Sequence, residues 1–319
     1  MRVLTRELRS VPAAVVTALA LGVALAGCSP SRAPVATPSP SAVMTSATVT
    51  PAPSASSASS VSPAPGERAY VIGVLGDFGV DGAAVRSVVA EMRRFAPRLD
   101  AVVTTGDNAY CCGRPAQVAF ARSALAPLHA KVYPALGNHD EVTGGGQPLM
   151  ATFGLTQRWY DVVVGPVELV FLDANRTGDA RQRAFLNGVL ARPRRAAFRV
   201  VVFHQPGWSC SFHPPEPGVV RDWLPRFAGK VDLVLAGHNH TYERFAGAGG
   251  VPYVTTGGGG ASLYPSSLAA CRGAGHVRKI RTVHHALRIT ATSSRLTVEA
   301  YGTDGMAFDR FTVAAAPSR

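Results

Sequence analysis

The sequence predicts one layered α/β domain of about 250 residues, with a second sheet at its C-terminal end. Three observations carry this expectation. Strand-like and helix-like apolar segments alternate from residue 69 to residue 236. Beyond residue 251 the segments are strand-like alone. Residue types that coordinate metals gather directly after five strands, the edge at which open α/β sheets bind ligands.

Taken in order, Ala69 to Leu75 is a short apolar strand closed by Gly76. Gly82 to Phe95 sets Val85, Val88, Val89 and Met92 at helical spacing. Asp100 to Thr105 is a strand, Pro115 to Leu125 a helix, and Lys131 to Leu136 a strand. Val162 to Asp173 holds two strands turned at Gly165-Pro166. Arg181 to Leu190 is helical, Phe198 to Phe203 a strand, Val219 to Phe227 a helix and Val231 to Ala236 a strand. After Val251 to Thr255 come Ala286 to Ala291 and Leu296 to Tyr301, then a Thr303-Asp304-Gly305 turn into Ala307 to Val313.

The 319 residues are 47% hydrophobic but only 16% charged, a gap too wide for one evenly mixed soluble domain. The N-terminus accounts for much of it. Arg2, Arg6 and Arg9 precede an uncharged apolar run from Val11 to Ala26, the pattern of an export signal over residues 1–27. Leu25-Ala26-Gly27-Cys28 resembles the lipobox of bacterial lipoproteins, so the expectation is a lipid-anchored, exported protein held to the membrane through Cys28; plain secretion follows if the lipobox is not used. Residues 29–66 contain 11 Ser, 8 Pro, 8 Ala and 4 Thr with one charge, Arg32, and cannot bury enough apolar surface to offset ordering entropy. Residues 28–66 therefore read as lipidated cysteine and disordered tether, and residues 67–319 as the folded domain. The net charge of +12 becomes +10 after cleavage before Cys28, and it is scattered, so no nucleic-acid partner is expected. No Gly-X-Y or heptad register runs through the chain, and 5 Cys are too few for a small disulfide scaffold.

Five polar fragments follow the strands: Gly76-Asp77, Gly106-Asp107-Asn108-Ala109-Tyr110, Gly137-Asn138-His139-Asp140, His204, and Gly237-His238-Asn239-His240. Asp, Asn, His and Tyr offer hard oxygen and borderline nitrogen donors suited to iron, zinc or manganese. A glycine before four of the five lets the backbone turn sharply at the strand end.

In this order the fragments resemble the calcineurin-like metallophosphoesterases, and within them the purple acid phosphatases, over residues 69–256 and more loosely beyond. The superfamily usually opens with Asp-x-His. Here Asp77-Phe78-Gly79 lacks that histidine, and Tyr110 stands three residues after the second aspartate, where purple acid phosphatases carry a tyrosine. The resemblance implies a four-layer α-β-β-α metallophosphoesterase sandwich with two mixed sheets. It implies two metal ions, with Asp77, Tyr110 and His240 on the first, Asp107 bridging, and Asn138, His204 and His238 on the second. A phenolate favours a hard trivalent ion, so Fe(III) is expected beside Tyr110 and Fe(II), Zn(II) or Mn(II) at the other site. The implied reaction is hydrolysis of a small phosphomonoester by metal-bound hydroxide.

By the same resemblance His139 contacts phosphate with Asp140 orienting it, and His213, nine residues past His204, protonates the leaving alkoxide. Mammalian-type members often carry a glutamate before that histidine, where this chain has Phe212. Tyr242, Glu243 and Arg244 read as support for the ligands, and Gly257 to Gly260 as a mobile loop at the site rim. Cys111 and Cys112 are expected to bridge to Cys210 and Cys271 in some order. Two other readings remain open: an exported phosphodiesterase or nucleotide phosphohydrolase with the same metals, and an inactive metal- or phosphate-binding lipoprotein.

Overall fold

The computed structural model describes residues 67–316 apart from 96 and 274–275; the export signal, Cys28 and the tether lie outside them. Among the described residues no helix is long and apolar enough to cross a membrane.

Among the described residues thirteen strands form two mixed sheets. The first contains β1 (Tyr70–Leu75), β2 (Ala101–Thr104), β3 (Val132–Pro134), β11 (His285–Ala291), β12 (Arg295–Gly302) and β13 (Ala307–Ala314), in the order β13-β12-β11-β1-β2-β3. The second contains β4 (Tyr160–Val164), β5 (Val167–Phe171), β6 (Phe198–Val202), β7 (Leu233–Ala236), β8 (Tyr242–Ala246), β9 (Pro252–Thr256) and β10 (His276–Arg281), in the order β10-β8-β9-β7-β6-β5-β4. In each sheet one run of neighbouring strands is parallel, β1-β2-β3 in one and β5-β6-β7-β9 in the other. Their C-terminal ends therefore open toward one edge.

The near-continuous apolar runs of these strands are explained by burial on both faces. Ile72, Val74 and Val103 of the first sheet meet Leu169, Phe171, Val200, Val202 and Leu235 of the second. The alternate residues face outward, as period-two side chains must. Val102 packs with Val85, Val88 and Met92 of α1 (Ala83–Met92) and with Leu125 of α2 (Pro115–Leu125). On the opposite side Val170, Val201 and Val234 pack with Leu186, Val189 and Leu190 of α5 (Ala180–Ala191). The layers are thus α-β-β-α. Each fully buried Val or Leu contributes roughly 1.5–3 kcal/mol, which favours this arrangement over exposing either sheet face.

The expected helix over Val219 to Phe227 is instead a π-type turn, Val219–Trp223, followed by a 3₁₀ turn, Leu224–Arg226. Pro225 lacks the N–H that a continued α-helix needs. Four elements escape the periodicity reading. The helices α3 (Asn138–Glu141) and α4 (Gln147–Phe153) sit among ligand residues and three glycines, and β8 and β10 carry charges that hide their apolar faces. On β10, at a sheet edge, such charges also discourage pairing with another chain.

Candidate metal centre

Seven donor side chains expected as ligands converge at the edge where the parallel strands end. Asp77 follows β1, Asp107 and Tyr110 follow β2, Asn138 follows β3, His204 follows β6, and His238 and His240 follow β7. They form two adjoining groups. In one, the Tyr110 hydroxyl lies 3.2 Å from Asp77 Oδ1 and 2.9 Å from His240 Nε2, and His240 Nε2 lies 3.4 Å from Asp77 Oδ1. In the other, His204 Nε2 lies 3.1 Å from Asn138 Oδ1, 3.2 Å from His238 Nδ1 and 3.4 Å from Asp107 Oδ2. The groups touch where His204 Nε2 comes within 4.0 Å of Asp77 Oδ1.

The local backbone is shaped for this convergence. Among the described residues four non-glycine residues have positive φ, and three of them are Asp77 (58°), Asp107 (50°) and His238 (71°). Such conformations cost of order 1–3 kcal/mol each and persist where the surroundings enforce them, most often at functional sites. Two glycines give the space. A Cβ on Gly106, itself at φ +99°, would meet the His204 ring at 2.5 Å, and a side chain on Gly137 would collide with the Asp107 carboxylate.

The tautomers are also fixed. His204 Nδ1 lies 2.8 Å from the Thr105 carbonyl and His240 Nδ1 lies 2.7 Å from that of Ser262, so each donates there and leaves its Nε2 lone pair facing the other donors. The His238 backbone N–H donates to the Asp77 carboxylate at 3.0 Å, which ties the loop after β7 to the loop after β1. Among the described residues Asp107, His204 and His238 form a His/carboxylate group whose donor atoms lie within 4.8 Å of one another, close enough to hold a metal ion.

The electrostatics carry the same mark. Burial lowers the basicity of His204, but the Asp107 and Asp77 carboxylates outweigh it and raise the imidazole to about 9. Burial likewise opposes ionisation of Asp107, yet His204 and His139 hold its carboxyl well below the ordinary range. His238 is pushed down to about 2 by burial and by His204 and His213. Burial and the carboxylates of Asp77 and Asp107 push the Tyr110 phenol well above its usual range. Losing that proton requires a strong Lewis acid.

His139 and His213 border the donors. His139 is 37% exposed at its side chain; its Nδ1 lies 2.8 Å from the Cys111 carbonyl and its ring 4.4 Å from that of Tyr110. The His213 ring stacks on His238 with centroids 3.9 Å apart, and burial, His240 and His204 lower its basicity. Asp140 does not hydrogen-bond His139, contrary to the expectation that it orients that ring. Its buried carboxylate accepts the backbone N–H groups of Asn108, Ala109 and Gly137 and the Asn108 side-chain amide, which brace the loops of Asp107 and Asn138. Burial and the neighbouring Asp107 raise Asp140 to about 7.

Three further expectations are corrected. Cys210 bonds Cys271 and Cys111 bonds Cys112, so no bridge joins the two pairs. A two-way backbone pairing of Ser209 with Arg272 brings Cys210 and Cys271 together. Gly257 to Gly260 are buried: Gly257 N–H donates to Thr241, Gly259 N–H to Gly76 and His285 N–H to Gly258, leaving no mobile rim loop there. Tyr242 and Arg244 bond Asp309 of β13 and so tie the two sheets. Only Glu243 of that trio acts toward the site, accepting the Cys210 N–H at 2.8 Å.

Sequence reading missed Tyr264, whose ring lies flat on His240 with centroids 4.0 Å apart and planes 12° apart. It also missed Asn239, which accepts the His213 N–H at 2.9 Å and donates to Ser209 Oγ. Its place between the two ligand histidines in Gly237-His238-Asn239-His240 is the signal that could have flagged Asn239; nothing local marks Tyr264.

The chain matches the family described as calcineurin-like phosphoesterase over residues 70–242. It is 29% identical to purple acid phosphatase 4 of Arabidopsis thaliana over 228 residues, covering 58% of this chain and 67% of that protein. With purple acid phosphatase 3 of the same plant it shares 28%, covering 62% of the relative. Among solved structures, the purple acid phosphatase PPD1 from yellow lupin (Lupinus luteus) seeds superposes with a TM-score of 0.69 at 20% identity, over 78% of this chain and 54% of the lupin chain. GAP50, the anchor in the inner membrane complex of Plasmodium, superposes at 0.65 with 15% identity, over 79% and 90%. The chain spans about half the length of the lupin protein.

Proposed function

The chain belongs to the calcineurin-like phosphoesterases, and on that premise we propose that it is a dinuclear, purple acid phosphatase-like enzyme that hydrolyses small phosphomonoesters. The observation that carries this reading is the Tyr110 hydroxyl, 2.9 Å from His240 Nε2 and 3.2 Å from Asp77 Oδ1. Asp77, Tyr110 and His240 would hold one ion, Asn138, His204 and His238 the other, and Asp107 would bridge. Fe(III) is assigned beside Tyr110 because a buried phenol among carboxylates ionises only against a strong Lewis acid. Fe(II), Zn(II) or Mn(II) completes the pair. When bound, the two ions supply charge neutralisation of the phosphoryl oxygens and a water of near-neutral pKa.

The chain's own part is orientation and proton handling. Thr105 and Ser262 fix the rings of His204 and His240 through their carbonyls. We assign His139, partly exposed over Tyr110 and Asp107, to a phosphoryl oxygen, and His213 to the proton given to the leaving alkoxide. Burial, His240 and His204 lower the basicity of His213, which makes its protonated ring the stronger acid. Asp140 is a positioning residue for the ligand loops.

Metal analysis combined with visible spectroscopy tests the assignment. The iron-loaded protein should show a tyrosinate-to-iron charge-transfer band that Tyr110→Phe abolishes; an active, colourless protein without iron would defeat it. Export and lipid attachment at Cys28 belong to the same proposal, supported by the lipobox-like Leu25-Ala26-Gly27-Cys28. Cys28→Ser should move the protein from the membrane fraction to the soluble one, and unchanged fractionation would count against lipidation.

A further inference from the structure

Phe212 is 66% exposed, although its loop is held by a disulfide and several hydrogen bonds. Cys210 is bonded to Cys271, Ser211 Oγ donates to the Pro265 carbonyl at 3.0 Å, and Arg272 donates to the carbonyls of Ser211 and Phe212. The preceding residues Cys210 and Ser211 are buried. A single exposed apolar side chain is ordinary on a protein surface. This one stands in a set. Its ring lies 4.9 Å from His213 and 5.2 Å from Tyr264, and those two rings in turn lie flat on the ligand candidates His238 and His240 at 3.9 and 4.0 Å. Phe212 stands edge-on to His213, with planes 79° apart, and tilted by 45° against Tyr264, so a run of inclined aromatic rings leads outward from the metal centre, one ring contact to His213 or Tyr264 and a second to Phe212.

We propose that Phe212 and the Tyr264 ring inclined beside it form a wall, with the exposed Phe212 as its stacking face, that binds the base of a nucleoside monophosphate whose phosphoryl group occupies the metal centre. Stacking on such rings tolerates any base, because each presents a π-face. A base is joined to its phosphate across a ribose, and that span suits a platform two ring contacts away from the ligands. A ring bonded directly to the phosphoryl oxygen would reach the inner pair and leave Phe212 unused. The fixed loop presents the ring without ordering it on binding, which lowers the entropic cost of capture. This inference rests on the phosphatase reading and names the substrate class of that site.

The test is calorimetric binding and turnover of adenosine 5′-monophosphate against ribose 5-phosphate, which differs by the base alone, on metal-loaded protein. The expected wild-type preference is about tenfold in affinity and in kcat/KM. That ratio should fall to within about twofold in Phe212→Ala and in Phe212→Leu, which keeps apolar bulk without a planar face, and return in Phe212→Trp. A wild-type ratio near one, or a ratio that neither variant changes, overturns the proposal. Phenyl phosphate bound better than the nucleotide, with the same sensitivity to Phe212, overturns the nucleoside assignment. If neither inorganic phosphate nor ribose 5-phosphate binds or turns over, the phosphatase reading fails on its own. Adenosine, which has no phosphate, then decides the wall: binding weakened about tenfold by Phe212→Ala supports it, and no binding overturns it.

Discussion

The donor cluster and the aromatic rim around it are held by different means. Each donor follows a strand, buried along most of its length except for the edge strand β3, and in four of the five fragments a glycine precedes it, so its position is set by neighbours within a few residues and by the parallel register of the sheet. The rim, from Ser209 to His213 and from Ser262 to Arg272, has almost no regular structure. A disulfide between residues 61 apart, a Ser209–Arg272 backbone pairing and the side chains of Asn239 and Glu243 hold it. The cluster is thus rigid by construction, while the rim is rigid only through cross-links, and loops of that kind can change specificity without disturbing the chemistry beneath.

The largest expected effect falls on the cluster. Asp107→Ala removes the residue proposed to bridge the two ions and should lower turnover by about 10⁴-fold with loss of bound metal. Retained metal with near-normal turnover would remove Asp107 from the bridging role. On the rim, replacing Cys210 and Cys271 together by alanine should destabilise the fold by about 4 kcal/mol in denaturant titrations, because the bond closes a long loop. Removing the Cys111–Cys112 bond, between adjacent residues, should cost far less, and equal costs would contradict the loop-closure account.

A smaller effect is pH-dependent. Burial raises Glu243 to about 7 from 4.5, against the hydrogen bonds from Cys210 N–H and Thr241 that favour its charge. The native state then holds the proton more tightly than the unfolded chain. The associated stability is complete below about pH 4.5 and is lost as pH rises through about 7, by up to about 3 kcal/mol. Melting profiles of Glu243→Gln should lack that slope; an identical slope in the variant would place its origin elsewhere. The smallest effect is expected for Asn239→Ala, which frees the His213 N–H and the Ser209 hydroxyl. It should cost on the order of 1 kcal/mol and lower kcat while metal content stays constant, so that loss of metal would mark Asn239 as part of the cluster instead.

The same division decides what can be read from the chain. Strand and helix alternation, the hairpin at Gly165-Pro166 and the C-terminal meander are written in local periodicity, and the seven donor residues follow from strand-end position and the resemblance they carry. Where periodicity meets a conflicting local constraint it fails: Pro225 breaks the expected helix, and the charged faces of β8 and β10 conceal two strands. Asp140 lies beside His139 in sequence, but three backbone N–H groups claim its carboxylate, a competition decided only when β2 and β3 lie side by side.

The sequence by itself determined the layered fold and the residues that gather at its edge, because burial and turning are properties of short segments. Tertiary structure alone decided that Cys210 pairs with Cys271, that Gly257 to Gly260 are packed under β11 rather than free, and that Tyr264 lies on His240. Those contacts join segments with no local signal for one another, and their energy appears only after the sheets have brought them within reach.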